Sequence, residues 1–333
     1  MTAKMKRREF ITLVGGAAAA WSLAARGQQP AMPVVGVLSA EWPNAVTADR
    51  LHAFRGGLND TGYFEGRNVT IEYRWAEGRN DRLPALAAEL VRLPVNVIVC
   101  AGSTPATIAA KAASTTVPIV FYGGADPVSM GLGASLSRPG GNVTGVTTLN
   151  VEIGAKRLEV LHELVPTATM IAGLVNPTNP VIAETETRDL QAAARTLGLT
   201  LHMLHASSEQ EIDTAFMTLV QVRAGALVIG TDALFNSRSE QLAVLTLRHE
   251  VPAIYQFREF VLSGGLASFG TTVEDTYRPL GVYTGRILKG EKPADLPVQR
   301  ATKLDLIINM KTANALGITV PLPLVGRADE VIE

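Results

Sequence analysis

Residues 95–113 read "VNVIVCAGSTPATIAAKAA", and the fold follows from how this stretch divides. The apolar run 95–100 shows no polar alternation, so both of its faces are buried, as in an inner strand of a parallel sheet. The small polar loop "AGST" then leads into 105–113, where Thr104 can cap a helix whose first residue is Pro105. A buried strand that passes through such a loop into a helix is half of a βαβ unit.

The same rhythm repeats along the chain from Pro33. Apolar runs at 34–38, 69–73 and 119–122 precede helical patterns at 47–60, 81–92 and a short one at 127–136. After the Gly- and Pro-rich "SRPGGNVTG" at 137–145, runs at 170–175, 201–205, 226–229, 253–255 and 266–269 continue it, each followed by a helical segment. Alternation of this kind predicts an α/β protein with parallel sheets covered on both faces. About 306 residues follow the leader described below, more than a single core usually holds, so two Rossmann-like lobes are expected with a break near 147–150. A weak internal echo, Val-Pro before a short strand and a polar loop in both "TTVPIVFYGGADPV" (115–128) and "RHEVPAIYQFREFV" (248–261), points the same way.

Polar residues collect where these strands end. Asp126 precedes Pro127 in "GGADPV", Asn179 precedes Pro180 in "NPTNPV", and Ser237 and Glu240 have capping-box spacing in "TDALFNSRSE". Each can be a helix cap and nothing more. Together they line the carboxyl edge of the sheets, which in open α/β folds is the ligand edge, and a capped helix N-terminus still offers N–H groups to an anion.

At the other end of the chain, Lys6, Arg7 and Arg8 precede the uncharged segment 11–25, and the small residues Ala25 and Gly27 flank Arg26. This is the layout of a secretory signal cleaved near Gly27, with a segment too short to span a bilayer. Arg7-Arg8 followed by Glu9, Phe10 and Ile11 resembles a twin-arginine leader, departing from it at Lys6 and Thr12; Sec export stays open. Loss of 1–27 removes five cations and one anion and leaves 25 basic against 30 acidic residues, a net charge of −5. That balance gives nucleic acid no footing.

Chemistry-bearing motifs are absent from the sequence. There is no Walker loop, no strand-linked G-x-G-x-x-G, no G-x-S-x-G and no H-E-x-x-H. His52, His162, His202, His205 and His249 are scattered, and Cys100, the only cysteine, ends an apolar strand. Asp126 and Asp232 are the one tempting carboxylate pair, both in cap-like settings. No catalytic set, metal site or cofactor is expected.

An exported two-lobed α/β chain with polar strand tips has the outline of a periplasmic binding protein. The chain also resembles the ABC-transporter substrate-binding proteins of the tryptophan/tyrosine-binding, TrpX-like kind, which have the type I periplasmic binding fold. The resemblance runs from the leader "RREFITLVGGAAAAW" through "STPATIAAKAAS", "TVPIVFYGGADPVSMGLGASLSRPGGNVTGVT", "VEIGAKRLEVLHELVP", "GLVNPTNP" and "VPAIYQFREF" to "GRILKGEKPADLPVQ", in order. It implies three crossings between lobes, near 148, 270 and 302, so that 33–147 with 271–301 form one lobe and 151–269 with 303–333 the other. It implies ligand contacts at Ser39, Ser103, Thr104, Asp126, Asn176, Asp232 and Tyr255, in the cleft between the lobes. It further implies a non-enzymatic monomer in the periplasm that captures a small organic solute, an aromatic amino acid or a relative of one, for an ABC permease. The pattern is broken at Gly124-Ala125, where amino-acid-binding members tend to carry Val or Thr before the Asp, and at Trp42 in the first loop "SAEWPNAV", which implies a reshaped pocket. A sensory receptor domain, or a hydrolase or lyase on the same fold, remains as an alternative function.

Overall fold

The computed structural model describes residues 32–148 and 150–333; the leader 1–27 lies outside the described residues. Residues 34–333 form one compact unit built on two sheets. The first contains β1 (Val34–Ser39), β2 (Thr70–Trp75), β3 (Val97–Cys100), β4 (Ile119–Gly123), β5 (Val143–Thr148) and β11 (Gln299–Ala301), in the order β11-β5-β4-β3-β1-β2. All its pairings are parallel. The second contains β6 (Met170–Val175), β7 (Thr200–His205), β8 (Ala226–Ile229), β9 (Ala253–Tyr255), β10 (Ala267–Gly270), β12 (Asp305–Asn309) and β13 (Glu330–Ile332), in the order β13-β12-β10-β9-β8-β6-β7. Only β10 and β12 run antiparallel to each other. Each sheet with its helices is a lobe, and the fold is α/β with two parallel-dominated sheets. The chain passes between the sheets after β5, after β10 and between β11 and β12.

The inner strands are buried at nearly every position, and β3, β4, β5, β8 and β9 at all of them. That is the physical content of their unbroken apolar runs, since helices on both faces leave no wet side. The helix Glu274–Leu288 comes from the strand end of β10 yet packs on Ala45–Asp60 of the first lobe. Two glycines allow that packing. A Cβ on Gly57 would lie 1.9 Å from the Arg278 carbonyl oxygen, and one on Gly281 2.0 Å from that of Phe54.

Three local expectations are corrected. The stretch 127–136 forms turns, because Gly131 takes a left-handed φ of 66° that ends any helix begun at Pro127. The cap of the helix Thr104–Ala113 is Ser103, whose Oγ accepts from the Ala106 N–H, with Pro105 one place further in. The Ser237–Glu240 box is not formed: Asp232 caps the helix Ala233–Ser237, which breaks at Arg238 before Ser239–Arg248 begins.

Candidate functional site

The carboxyl ends of the two sheets face each other across a small cavity of about 30 Å³. From the first lobe it is lined by Gly102, Ser103 and Thr104 after β3 and by Tyr122, Gly123 and Gly124 at the end of β4. From the second come Asn179, Thr231, Asp232, Asn236 and Phe257. A wider cleft of about 950 Å³ lies outside it, between the helices Leu83–Arg92 and Thr104–Ala113 and the start of Pro180–Leu197. Asn80, Pro105 and Asn179 line both, so the cleft is the approach to the cavity. At that junction Asn80 Nδ2 donates across the lobes to Thr178 Oγ1 at 3.1 Å.

The two walls differ in sign. The first-lobe wall is the N-terminus of the helix Thr104–Ala113, where aligned peptide dipoles place a partial positive charge. The second-lobe wall holds the Asp232 carboxylate, 6% exposed, which accepts from Asn176 Nδ2 at 2.8 Å, Asn179 Nδ2 at 3.0 Å and the Leu234 N–H at 2.9 Å. Burial raises its pKa, and the two asparagine donors hold it back. Asn176 keeps its own orientation because its Oδ1 accepts from the Thr178 N–H and hydroxyl. The aromatic lining is Tyr122, edge-on to Tyr277 at 5.0 Å, and Phe257, whose ring lies 5.2 Å from the Arg50 guanidinium carbon.

Behind the second wall, the Thr231 N–H donates to both oxygens of Glu186 at 2.9 Å. Glu186 is buried, and burial pushes its pKa up to about 7 against the opposing pull of Arg157. Arg157, also fully buried, donates to the carbonyls of Phe269 and Asn150, two points where the chain passes between the sheets. One ion-paired side chain thus ties two of the interlobe passages to the loop that carries Thr231 and Asp232.

Of the residues proposed from sequence, Ser103, Thr104 and Asp232 line the cavity, and Asn176 stands directly behind Asp232. Ser39, Asp126 and Tyr255 are not among its lining residues. Ser39 is the buried last residue of β1, with its hydroxyl donating to the Ala101 carbonyl. Asp126 is exposed, and its two carboxylate oxygens accept from the N–H groups of Val128 and Ser129, closing the turn that follows. Tyr255 is fully buried in the second lobe, stacked 4.8 Å from Phe260 with its hydroxyl 2.9 Å from that of Thr246. Tyr122, Thr231, Asn236 and Phe257 were missed. The available signal was position alone: Tyr122 is the next-to-last residue of β4, and Thr231 and Phe257 each follow a strand by two residues. Trp42 does not enter the cavity; its ring lies against the Arg238 guanidinium at 4.7 Å on the rim.

These features define a two-lobed solute-binding protein. The profile of the ABC transporter substrate binding protein family matches residues 45–332, and the chain belongs to that family. A tyrosine-binding protein of Clostridioides difficile is 30% identical over 264 residues, 79% of this chain and 75% of that one. Among solved structures, an ABC domain in complex with L-Trp from Streptococcus pneumoniae is 26% identical, with a TM-score of 0.81 over 90% of this chain and 99% of the other. The ligand-free, open structure of a substrate-binding protein with adhesive properties from Clostridium difficile is 25% identical over the same shares, with a TM-score of 0.61. At equal coverage and nearly equal identity, the chain superposes better on the L-Trp complex than on the open form.

Proposed function

We propose that this chain is the periplasmic solute-binding component of an ABC importer and that its solute is an aromatic α-amino acid, tryptophan or tyrosine. One observation carries the ligand class: a helix N-terminus and a buried carboxylate face each other across a cavity with Tyr122 and Phe257 in its wall. A zwitterion matches that polarity. Its carboxylate suits the Ser103–Thr104 end, its ammonium suits Asp232, and its ring suits the aromatic wall. Asn176 acts through Asp232, while Ser39, Asp126 and Tyr255 support the surrounding loops. The names of the relatives favour the same ligand class.

The volume sets the mechanism. An engineered cavity of about 150 Å³ is what a benzene ring needs, and the interlobe cavity has about 30 Å³. The lobes as they stand leave no room for the ring; solute enters an opened form, and the lobes close on it by rotation about the three passages between the sheets, less completely than here. In this reading the protein works as an exported monomer, delivers its solute to an inner-membrane permease and leaves it chemically unchanged.

Mass spectrometry of solute released by denaturing natively purified protein, followed by calorimetry with L-tryptophan, L-tyrosine and non-aromatic amino acids, tests the proposal. The expected result is an intact aromatic amino acid and binding restricted to that class. Binding of none of them, or release of a chemically altered solute, refutes it.

A further inference from the structure

Below the cavity, and outside its lining, three charged side chains from both lobes converge. Arg50 on the first-lobe helix Ala45–Asp60 has 3% of its side chain exposed. Its Nη1 lies 2.5 Å from Glu41 Oε1, in the loop after β1 of the same lobe, and Glu41 is equally buried. Its other edge, Nε and Nη2, lies 3.4 and 3.2 Å from Glu259 Oε1. Glu259 belongs to the helix Arg258–Leu262, which packs on β10 and β12 of the second lobe. The guanidinium also sits by the ring of Phe257, one of the cavity's walls.

The two carboxylates are not equivalent. Glu41 moves with Arg50 and neutralises it whether the lobes are together or apart. Glu259 reaches Arg50 only when they are together, and at 19% exposure it meets water as they part. A guanidinium can serve both at once because its donors lie along two edges of a rigid plane; an ammonium on the same backbone would have to choose. Other contacts across the lobes include Asn80 with Thr178, Asn44 Nδ2 with the Ser237 carbonyl, the Arg238 guanidinium over the Trp42 ring, and a hydrogen bond between Asn236 and Glu41.

We propose that Arg50 and Glu259 form a closure latch, which holds part of the ligand-free population closed before any solute arrives. Glu41 is the counter-charge that lets the latch release without leaving a buried cation unpaired. This goes beyond the assignment of a solute and does not depend on which one is bound. It has a functional consequence: the fraction closed without solute fixes how much binding free energy remains for the solute to supply, and so its apparent affinity.

Small-angle scattering of the ligand-free protein, stripped by denaturation and refolding, tests the latch without any ligand. Glu259→Gln keeps the shape of the side chain, and Glu259 is not itself a lining residue. It is expected to raise the open-to-closed ratio about tenfold, the usual effect of losing one charge-assisted contact, and so to increase the radius of gyration. Arg50→Lys, which keeps the pair with Glu41 but not the second edge, should do the same. Near-ultraviolet circular dichroism identical to wild type in both variants separates opening from unfolding. An unchanged radius of gyration in both folded variants, whether because the wild type is already open or because the variants stay closed, overturns the proposal.

Discussion

Gly124 is the position at which closure is most easily blocked. It lies in the cavity wall of the first lobe, its φ is not left-handed, and a Cβ built on it would stand 3.2 Å from Thr231 Cγ2 of the second lobe. Asn150 Cβ and Val151 Cγ2 would follow at 3.6 Å. Alanine therefore fits with a small adjustment, whereas the two methyl groups of valine reach about 1.5 Å further and overlap Thr231. Overpacking of this sort costs about 1–3 kcal/mol. Most of that cost falls on the closed form, because the contact with Thr231 exists only there. Since solute is held by the closed form, its dissociation constant should rise by about 5- to 150-fold in Gly124→Val, with Gly124→Ala affected much less. Calorimetric affinity for L-tryptophan or L-tyrosine and the melting temperature of the ligand-free protein are measured side by side. The reasoning fails if Gly124→Val binds as tightly as wild type, or if the ligand-free melting temperature falls in step with affinity, since the strain would then lie within one lobe.

Three further outcomes follow from the geometry. Glu186 has a folded-state pKa raised from 4.5 to about 7 by burial, so the stability it contributes is complete below about pH 4.5 and is lost as pH rises through 7. The gap corresponds to about 3 kcal/mol; denaturant unfolding between pH 5 and 8 should show this slope in wild type and a flatter one in Glu186→Gln, and parallel profiles would count against it. Asp126→Asn should leave solute affinity unchanged to within about twofold and the melting temperature nearly so, because asparagine closes such turns almost as well as aspartate; a tenfold loss of affinity measured by calorimetry would return Asp126 to the site. The Cys100 thiol, buried with its pKa pushed up to about 12, should react with an aromatic disulfide reagent only as fast as the protein unfolds, and rapid labelling of the native state would contradict that.

The strands were legible because burial on both faces leaves a mark that needs no partner to be read: "VIVC" and "ALVI" are unbroken apolar runs, short enough and followed by polar loops, as inner strands are. The caps were half legible. Ser103 and Thr104 are adjacent hydroxyls before a proline that tolerates either of the first two helical positions, and only the loop's path decided for Ser103. At 127–136 an aspartate before proline signals a helix start and a tight turn equally well, and the glycines that follow decided for the turn. Asn179 is the instructive case. Its place before Pro180 suggests a cap, yet its amide makes no capping bond and instead fixes Asp232 from 53 positions away. Nothing local distinguishes those two uses of the same side chain.

The site was legible to the level of strand ends and no further, because which side of a strand end a ring occupies depends on the opposite layer. Tyr255 and Phe257 show this within three residues: the first is drawn into the second lobe by Phe260 and the Thr246 hydroxyl, the second faces the cavity over Arg50. The two departures from the family pattern separate in the same way. Trp42 braces Arg238 on the rim and leaves the lining unchanged, so it bears on how the lobes meet. Gly124 is in the lining itself, where the missing side chain removes bulk opposite Thr231. A bulkier residue there would have to be accommodated either by a smaller solute or by a less complete closure. The glycine thus permits the lobes to approach closely enough for Arg50 to reach Glu259, and this links what the pocket accepts to how firmly it shuts.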